Sequence, residues 1–436
     1  MQLQYGLDEK VPFLKNLLFG LQWAVLLIST ILILGKVVGL IHYQDEFNQI
    51  LYIRKLLVIS SLTLFIQVFW GHRLPLIPGP SAVLLIGILA SKNFPVPVIY
   101  SSIMAGGAII LIISASGQLK HVNRFFTANV ISVVLILIAF TMSPAIMDLI
   151  IDKRSGLNPS YNMLFAVIMI FVMFLLHRIL KGIWKSTIVI WSMVAGSFVY
   201  YFVMHARQSA LAYQGPWFDS FLYNLNTSMT FHTGVMISFI FCYIALLIND
   251  LGSIQSVNEI LEVNDRQGRV KRGVIITGLA NVFAGFMGVI GPVNFSLSPG
   301  IILSTGCASR FTLIPAVAVM FVLAFLPRVT GAMGDIPPVV IGAVLAYLMA
   351  TQIASGLMVA FKDAEGKGGF GMENGMVIGI SIFLGTIVTF LPDAVTETIS
   401  PVLKPVLANG FVAGVTSAII MEQILVKKGT RSGSQG

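Results

Sequence analysis

Charged residues make up only 10% of this 436-residue chain, where a soluble globular domain carries roughly 25%. So few charges cannot clothe a water-facing surface, which excludes a soluble enzyme. Cysteine is equally scarce: Cys242 and Cys307 lie in apolar surroundings without metal-ligand spacing. They are expected to be packing residues, with no redox or metal chemistry and no cofactor implied. The spans hold no His/Asp/Glu cluster and no nucleophile–base pairing, so a membrane enzyme or passive channel is the least supported class. Collagen-like and disordered readings also fail, because the 40 glycines and 18 prolines stay inside apolar blocks. The polar N-terminal MQLQYGLDEKVPF shows no cleavage site after a short apolar core and reads as a cytoplasmic lead-in.

What the chain does have is apolar sequence, at 56% of residues and a mean hydropathy of +0.90. Twelve blocks are long enough to cross roughly 30 Å of hydrocarbon, at about 15–34, 53–70, 97–117, 125–144, 161–180, 185–204, 232–252, 273–290, 311–327, 338–358, 375–391 and 406–425. Two shorter apolar segments, 74–90 and 291–306, contain proline and glycine near their starts. Counting each as an extended stretch plus a half-helix gives an all-α polytopic membrane protein with fourteen crossings. With both termini in the cytoplasm, 18 of the 27 Lys and Arg fall inside, as the positive-inside rule favours. The net charge of +9 is therefore read as topological, not as a nucleic-acid surface. The expected location is the cell membrane, multi-pass.

The two short segments are each the third crossing of a seven-crossing half. Seven is odd, so the second half enters from the opposite side and the 7+7 repeat is inverted. Aligning Pro80 with Pro299 sets Ser81 opposite Gly300. Paired interrupted segments of this kind mark secondary transporters, whose solutes bind where half-helix N-termini meet near the midplane. Proline suits an extended lead-in or a helix opening. Free N–H groups at such openings hold carbonyl oxygens or anions, and Ser81, Asn294, Ser296 and Ser298 add side-chain partners.

The eighth crossing, CYIALLINDLGSIQSVNEI, places Asn249, Asp250, Ser253 and Ser256 near lipid depth. Asn249 and Ser253 share a face, and Asp250 turns about 100° away. An intramembrane carboxylate is a functional hypothesis by default. Equally, Asp250 reads as solvated near the cytoplasmic end and paired with Arg266. Phe295 reads either as a stacking surface for a planar ring or as packing.

These residues resemble the nucleobase–ascorbate transporter (nucleobase:cation symporter-2) family of uracil and xanthine permeases. LPLIPGPS at 74–81 is similar to the family's LP-x-x-QGPS pattern, and KRGVIITGLANVFAGFMG and LANGFVAGVTSAIIMEQIL resemble its ninth and last crossings. Its signature [QEP]-N-x-G-x4-T-[RKG] is met by Gly300, Thr305 and Gly306. The resemblance implies a core domain (1–123 and 231–328) and a gate domain (124–230 and 329–436), with substrate between them. It implies proton or sometimes sodium coupling, and a possible homodimer through the gate. Carried over by position, the substrate-binding set is Ser81, Ala82, Asn249, Ser253, Phe295, Ser296, Leu297, Ser298 and Gly300, with Asp250 the proton-coupling candidate.

Several positions depart from the family: its eighth-crossing glutamate is Asn249, its signature pair is Leu297 and Ser298, its first-crossing Gln-His pair is Gln22 and Trp23, and its aromatic after GPS is Ala82. Asparagine offers a donor and an acceptor but does not titrate. The leading expectation is secondary active transport of a nucleobase such as uracil or xanthine. The alternative is a small-anion carrier or exchanger resembling the sulfate permeases.

Overall fold

The computed structural model describes residues 4–119, 127–151, 157–181, 184–185, 187–203, 213, 215–295, 298–365, 369–400, 403 and 407–426. In chain order the first elements are α1 (Phe13–His42), α2 (Glu46–Phe69), β1 (Pro78–Pro80), α3 (Ala82–Ala90) and α4 (Val96–Ala115). Next come α5 (Ala128–Ile150), α6 (Pro159–Ile179), α7 (Ile188–Phe198), α8 (Thr233–Ile260) and α9 (Arg266–Met287). The chain continues through β2 (Pro292–Asn294), α10 (Ser298–Thr305), α11 (Ile314–Ala324), α12 (Pro327–Gly334), α13 (Pro338–Glu365), α14 (Met372–Thr389) and, after a single turn at 393–396, α15 (Gly410–Met421). Among the described residues, nine helices are long and apolar enough to span a membrane, and α11 with α12 makes a tenth bent by 100°. The protein is thus a mostly helical, polytopic membrane protein.

Local chemistry moves several boundaries away from the apolar blocks. Asp45 caps α2 by accepting from Asn48 N at 2.9 Å, so the helix starts at Glu46 and not near 53. Helix α8 runs on to Ile260, beyond the expected end at 252, and stops only near Glu262, whose φ is +46°. Asn249, Asp250, Ser253 and Ser256 therefore all lie within regular helix, and so does Glu259.

Helices α1, α2, α3 and α4 pack with α8, α9 and α11, while α5 packs with α13, α14 and α15. Glycines bring α4 and α9 together: a Cβ on Gly107 would come within 2.7 Å of Val282 N, and one on Gly285 within 2.6 Å of Met104 N. Without aqueous hydrophobic drive between helices, such backbone approach supplies the van der Waals contact that holds them. Only 22% of the apolar window is buried in α6 and in α14, against 78% in α2, so those two helices face lipid. At one end of α2, buried Arg54 donates to Ala324 O at 2.7 Å and to the carbonyls of Asp219 and Ser220. Lys55 donates to Asn224 O and Met287 O at 2.9 and 2.8 Å. Both cations are held on carbonyl oxygens and pin the loop before α8 against the helices.

Candidate functional site

The two chain breaks meet. Strands β1 and β2 pair antiparallel with Pro78 opposite Asn294, Gly79 opposite Val293 and Pro80 opposite Pro292. Beyond the strands the ladder continues as Ser81 N to Gly291 O at 3.0 Å and Phe295 N to Ile77 O at 2.9 Å. Antiparallel pairs alternate between hydrogen-bonded and non-bonded. Pairs 77/295 and 81/291 are bonded, so Pro78, Pro80, Pro292 and Asn294 occupy the intervening positions whose N–H would point away from the partner strand. Proline costs no ladder bond there. Of these four, Asn294 alone has an outward N–H to give.

A short helix departs from each strand. Ser81 is the N-cap of α3, its Oγ accepting from Leu84 N at 3.5 Å. The prolines used to align the segments are not equivalent: Pro80 ends β1 two residues before α3, whereas Pro299 is the second residue of α10. Proline is tolerated at both steps, so the residue type alone did not fix the register. Gly79 makes room for the Phe295 ring, since a Cβ there would lie 2.5 Å from its edge.

The hydroxyls expected to face a solute instead staple the breaks. Ser298 Oγ accepts from Ile77 N at 3.3 Å and donates to Phe295 O at 3.1 Å. The Ser253 hydroxyl is shared between Asn249 O at 2.8 Å and Asn294 O at 3.0 Å, tying α8 to β2. Ser81, Ser253 and Ser298 are all fully buried. Ala82, Asn249 and Phe295 are half-buried, and Gly252 is exposed, facing space in which a Cβ would meet no atom within 4 Å. Gly300 is the third residue of α10. Ser296 and Leu297 lie outside the described residues.

Asp250 is fully buried, and its Oδ1 accepts from Asn294 N at 3.0 Å and Asn294 Nδ2 at 2.7 Å. This overturns the solvated pairing with Arg266: the carboxylate turns inward to β2, away from the cytoplasmic end of the helix. The surrounding polar side chains were missed in the sequence. On α9, Asn281 Nδ2 donates to Pro292 O at 2.8 Å, and its Oδ1 accepts from Tyr243 at 2.9 Å. Gln67 donates to Gly273 O at 2.9 Å and accepts from His72 N at 3.2 Å. Thr277 and Asn281, four apart within the apolar second part of α9 from Val274 to Met287, were the one signal that could have flagged this cluster.

The site therefore has two sides. On one side are the half-buried Asn249 and Phe295 and the exposed Gly252, residue types that suit a hydrogen-bonding edge and a face of a planar solute. Behind the strands it holds a buried carboxylate wired to β2. No group of His, Cys, Asp and Glu able to hold a metal ion occurs among the described residues.

The model of a permease family matches residues 14–394. The xanthine permease of Bacillus subtilis (strain 168) is 23% identical, the match covering 94% of this chain and 93% of that one. A uric acid permease of the same organism is 22% identical over 97% of this chain and 98% of its own. Among solved structures, the transmembrane domain of a cyanobacterium bicarbonate transporter matches with a TM-score of 0.57 at 13% identity, covering 94% of this chain and 98% of that one. Identity that low shows a shared fold alone.

Proposed function

Because the chain belongs to the permease family, whose members are membrane transporters and not enzymes, we propose that it carries a nucleobase such as xanthine or uracil by secondary active transport. The family match carries this reading, since it spans most of the chain and the relatives named above are permeases of xanthine and uric acid. The paired breaks support it: Phe295 directly follows β2 and stays half-buried, as does Asn249 on α8, one turn from Ser253, whose hydroxyl is bonded to β2. In this reading Phe295 stacks on the heterocycle and Asn249 meets its N–H/C=O edge. Ala82 and the first turns of α3 and α10, including Gly300, line the remainder. Ser81, Ser253 and Ser298 act by holding that corner in shape.

The element list supports fourteen crossings in two inverted sevens, if the bent pair, the two shorter apolar helices and the two strand–half-helix segments each count once. Packing of α4 on α9 has its counterpart in α11 on α2, as an inverted repeat requires. The same contacts support division into a core (1–123, 231–328) and a gate (124–230, 329–436) that move against each other. Proton coupling through Asp250, with sodium as the other ion to test, completes the proposal. So do placement in the plasma membrane with both termini cytoplasmic and pairing of two copies through the gate.

The test is exchange of labelled xanthine, uric acid and uracil in proteoliposomes, with bicarbonate and sulfate in parallel. Saturable exchange of a nucleobase and none of the anions is expected. Exchange of an anion alone would replace this reading with the small-anion carrier.

A further inference from the structure

Three fully buried side chains behind β2 have polar atoms with no closed hydrogen bond: Asp250 Oδ2, Asn294 Oδ1 and His72 Nε2. They are neighbours. Asn294 Nδ2 and N both donate to Asp250 Oδ1, and the His72 ring interacts with the Asn294 side chain. The direction of the chain is fixed by what each atom can do. Leu74 N donates to His72 Nδ1 at 3.0 Å, so the ring's proton sits on Nε2. Nε2–H then faces the Asn294 amide oxygen, which turns the amide NH2 toward Asp250, a group that as a carboxylate can only accept. Burial pushes the His72 imidazole down to about 3, so it stays neutral as a donor.

Other groups around Asp250 do not compete for this role. On α9, Thr277 accepts from Gln67 at 3.4 Å and turns its hydroxyl hydrogen, which does not titrate, toward the Asp250 carboxyl as a further donor. Arg269 reaches the carbonyls of Asn264, His72 and Arg73, at 3.3, 3.0 and 2.9 Å. Asn281 and Tyr243 are engaged with each other and with β2. No cation pairs with the carboxylate among the described residues. An unpaired buried charge is costly, and the group that would remove the cost is one proton on the open oxygen.

We propose that Asp250, Asn294 and His72 form a buried proton site, with Asp250 Oδ2 the atom that binds and Asn294 and His72 positioning residues. The inference rests on the transport reading for its consequence, not for its chemistry. When an O–H bond forms at Oδ2, the proton coming from water, the carboxylate loses its negative charge. Oδ1 then becomes a weaker acceptor for the two Asn294 donors, since charge-assisted bonds are about twice as strong as neutral ones. Asn294 ends β2, next to Phe295, so the strand that presents the aromatic ring is held more or less tightly according to protonation. The titrating group is thus one residue along from the family's glutamate position and on the opposite side of the strand from the solute.

Infrared difference spectra of the purified full-length protein, taken across a pH titration, read this site without any substrate. The wild type should show a protonated-carboxyl band, and Asp250→Asn should lose it. Asn294→Ala removes one donor to the carboxylate and should raise the band's midpoint by about one pH unit. His72→Gln keeps an N–H facing Asn294 and should move the midpoint less. A band that persists in Asp250→Asn, or a midpoint unmoved in Asn294→Ala, would overturn the proposal, as would quenching of the band by sodium at constant pH. In proteoliposomes, pH-driven accumulation should fall at least about tenfold in Asp250→Asn. If the wild type exchanges no nucleobase yet shows the band, the transport reading fails while the proton site stands.

Discussion

The two breaks share a backbone device and differ in what lies behind it. At the first, Pro78 and Pro80 remove both outward N–H groups of β1, and the helix that follows, AVLLIGILA, is wholly apolar. That break is closed to hydrogen bonding except through its cap and its partner strand. At the second, Pro292 removes one outward donor, but Asn294 keeps the other and delivers it to Asp250. Ser253 and Asn281 add bonds to the carbonyls of Asn294 and Pro292. One break thus supplies a passive frame, while the other is bonded to the ionisable group. An asparagine where a proline could stand gives the strand two donors, N–H and Nδ2, for a carboxylate brought by α8.

That contrast can be broken deliberately, and the largest effect should come at the crossing point itself. Gly79→Val forces a Cβ against the Phe295 ring, an overpacking cost of about 1–3 kcal/mol. Uptake and thermal stability should both drop. Adding Phe295→Ala to that variant should restore stability but not uptake, a result that a thermal melt and a transport assay on the double variant would check. Phe295→Ala alone should raise KM up to about tenfold, from loss of roughly 0.5–1.5 kcal/mol of stacking, with stability little changed. An unaltered KM would assign the ring to packing. Asn249→Ala comes next, at about 0.5–1.5 kcal/mol for one hydrogen bond to the solute, visible as weaker competition by nucleobases.

Smaller effects should follow from the staples, and they should be unequal. Ser253→Ala removes a buried hydroxyl bridging α8 to β2 and should cost about 1 kcal/mol in a denaturation series. Ser81→Ala removes a cap whose bond is already long at 3.5 Å, so its cost should sit near about 0.5 kcal/mol, the low end for caps. Equal losses would contradict the picture of one wired and one passive break.

Much of this was legible in one dimension. Apolar blocks of bilayer length, the two short proline-bearing segments and their matching positions follow from hydropathy and from the backbone chemistry of proline. Less legible was the use of each polar side chain. Ser81, Ser253 and Ser298 read as ligands because small hydroxyls near a helix opening suit that role. In three dimensions each meets a backbone group first: Ser253 and Ser298 spend their hydroxyl hydrogens on carbonyls, while Ser81 accepts from the first turn of its own helix. Asp250 could be read as inward or solvated because helical periodicity gives its angle to Asn249 but not what fills that direction. Its partner is 44 residues away, and no spacing rule connects them.

By itself, then, the chain's composition and punctuation determined a membrane solvent, the approximate crossings and the two places where helices had to break, because these depend on local hydrophobicity and on proline's missing N–H. Only the tertiary structure decided which donors point where. The strand register aims Asn294 at α8, and the packing of α8 against β2 sets Asp250 to receive it. Both depend on the relative placement of distant segments, which local sequence does not encode.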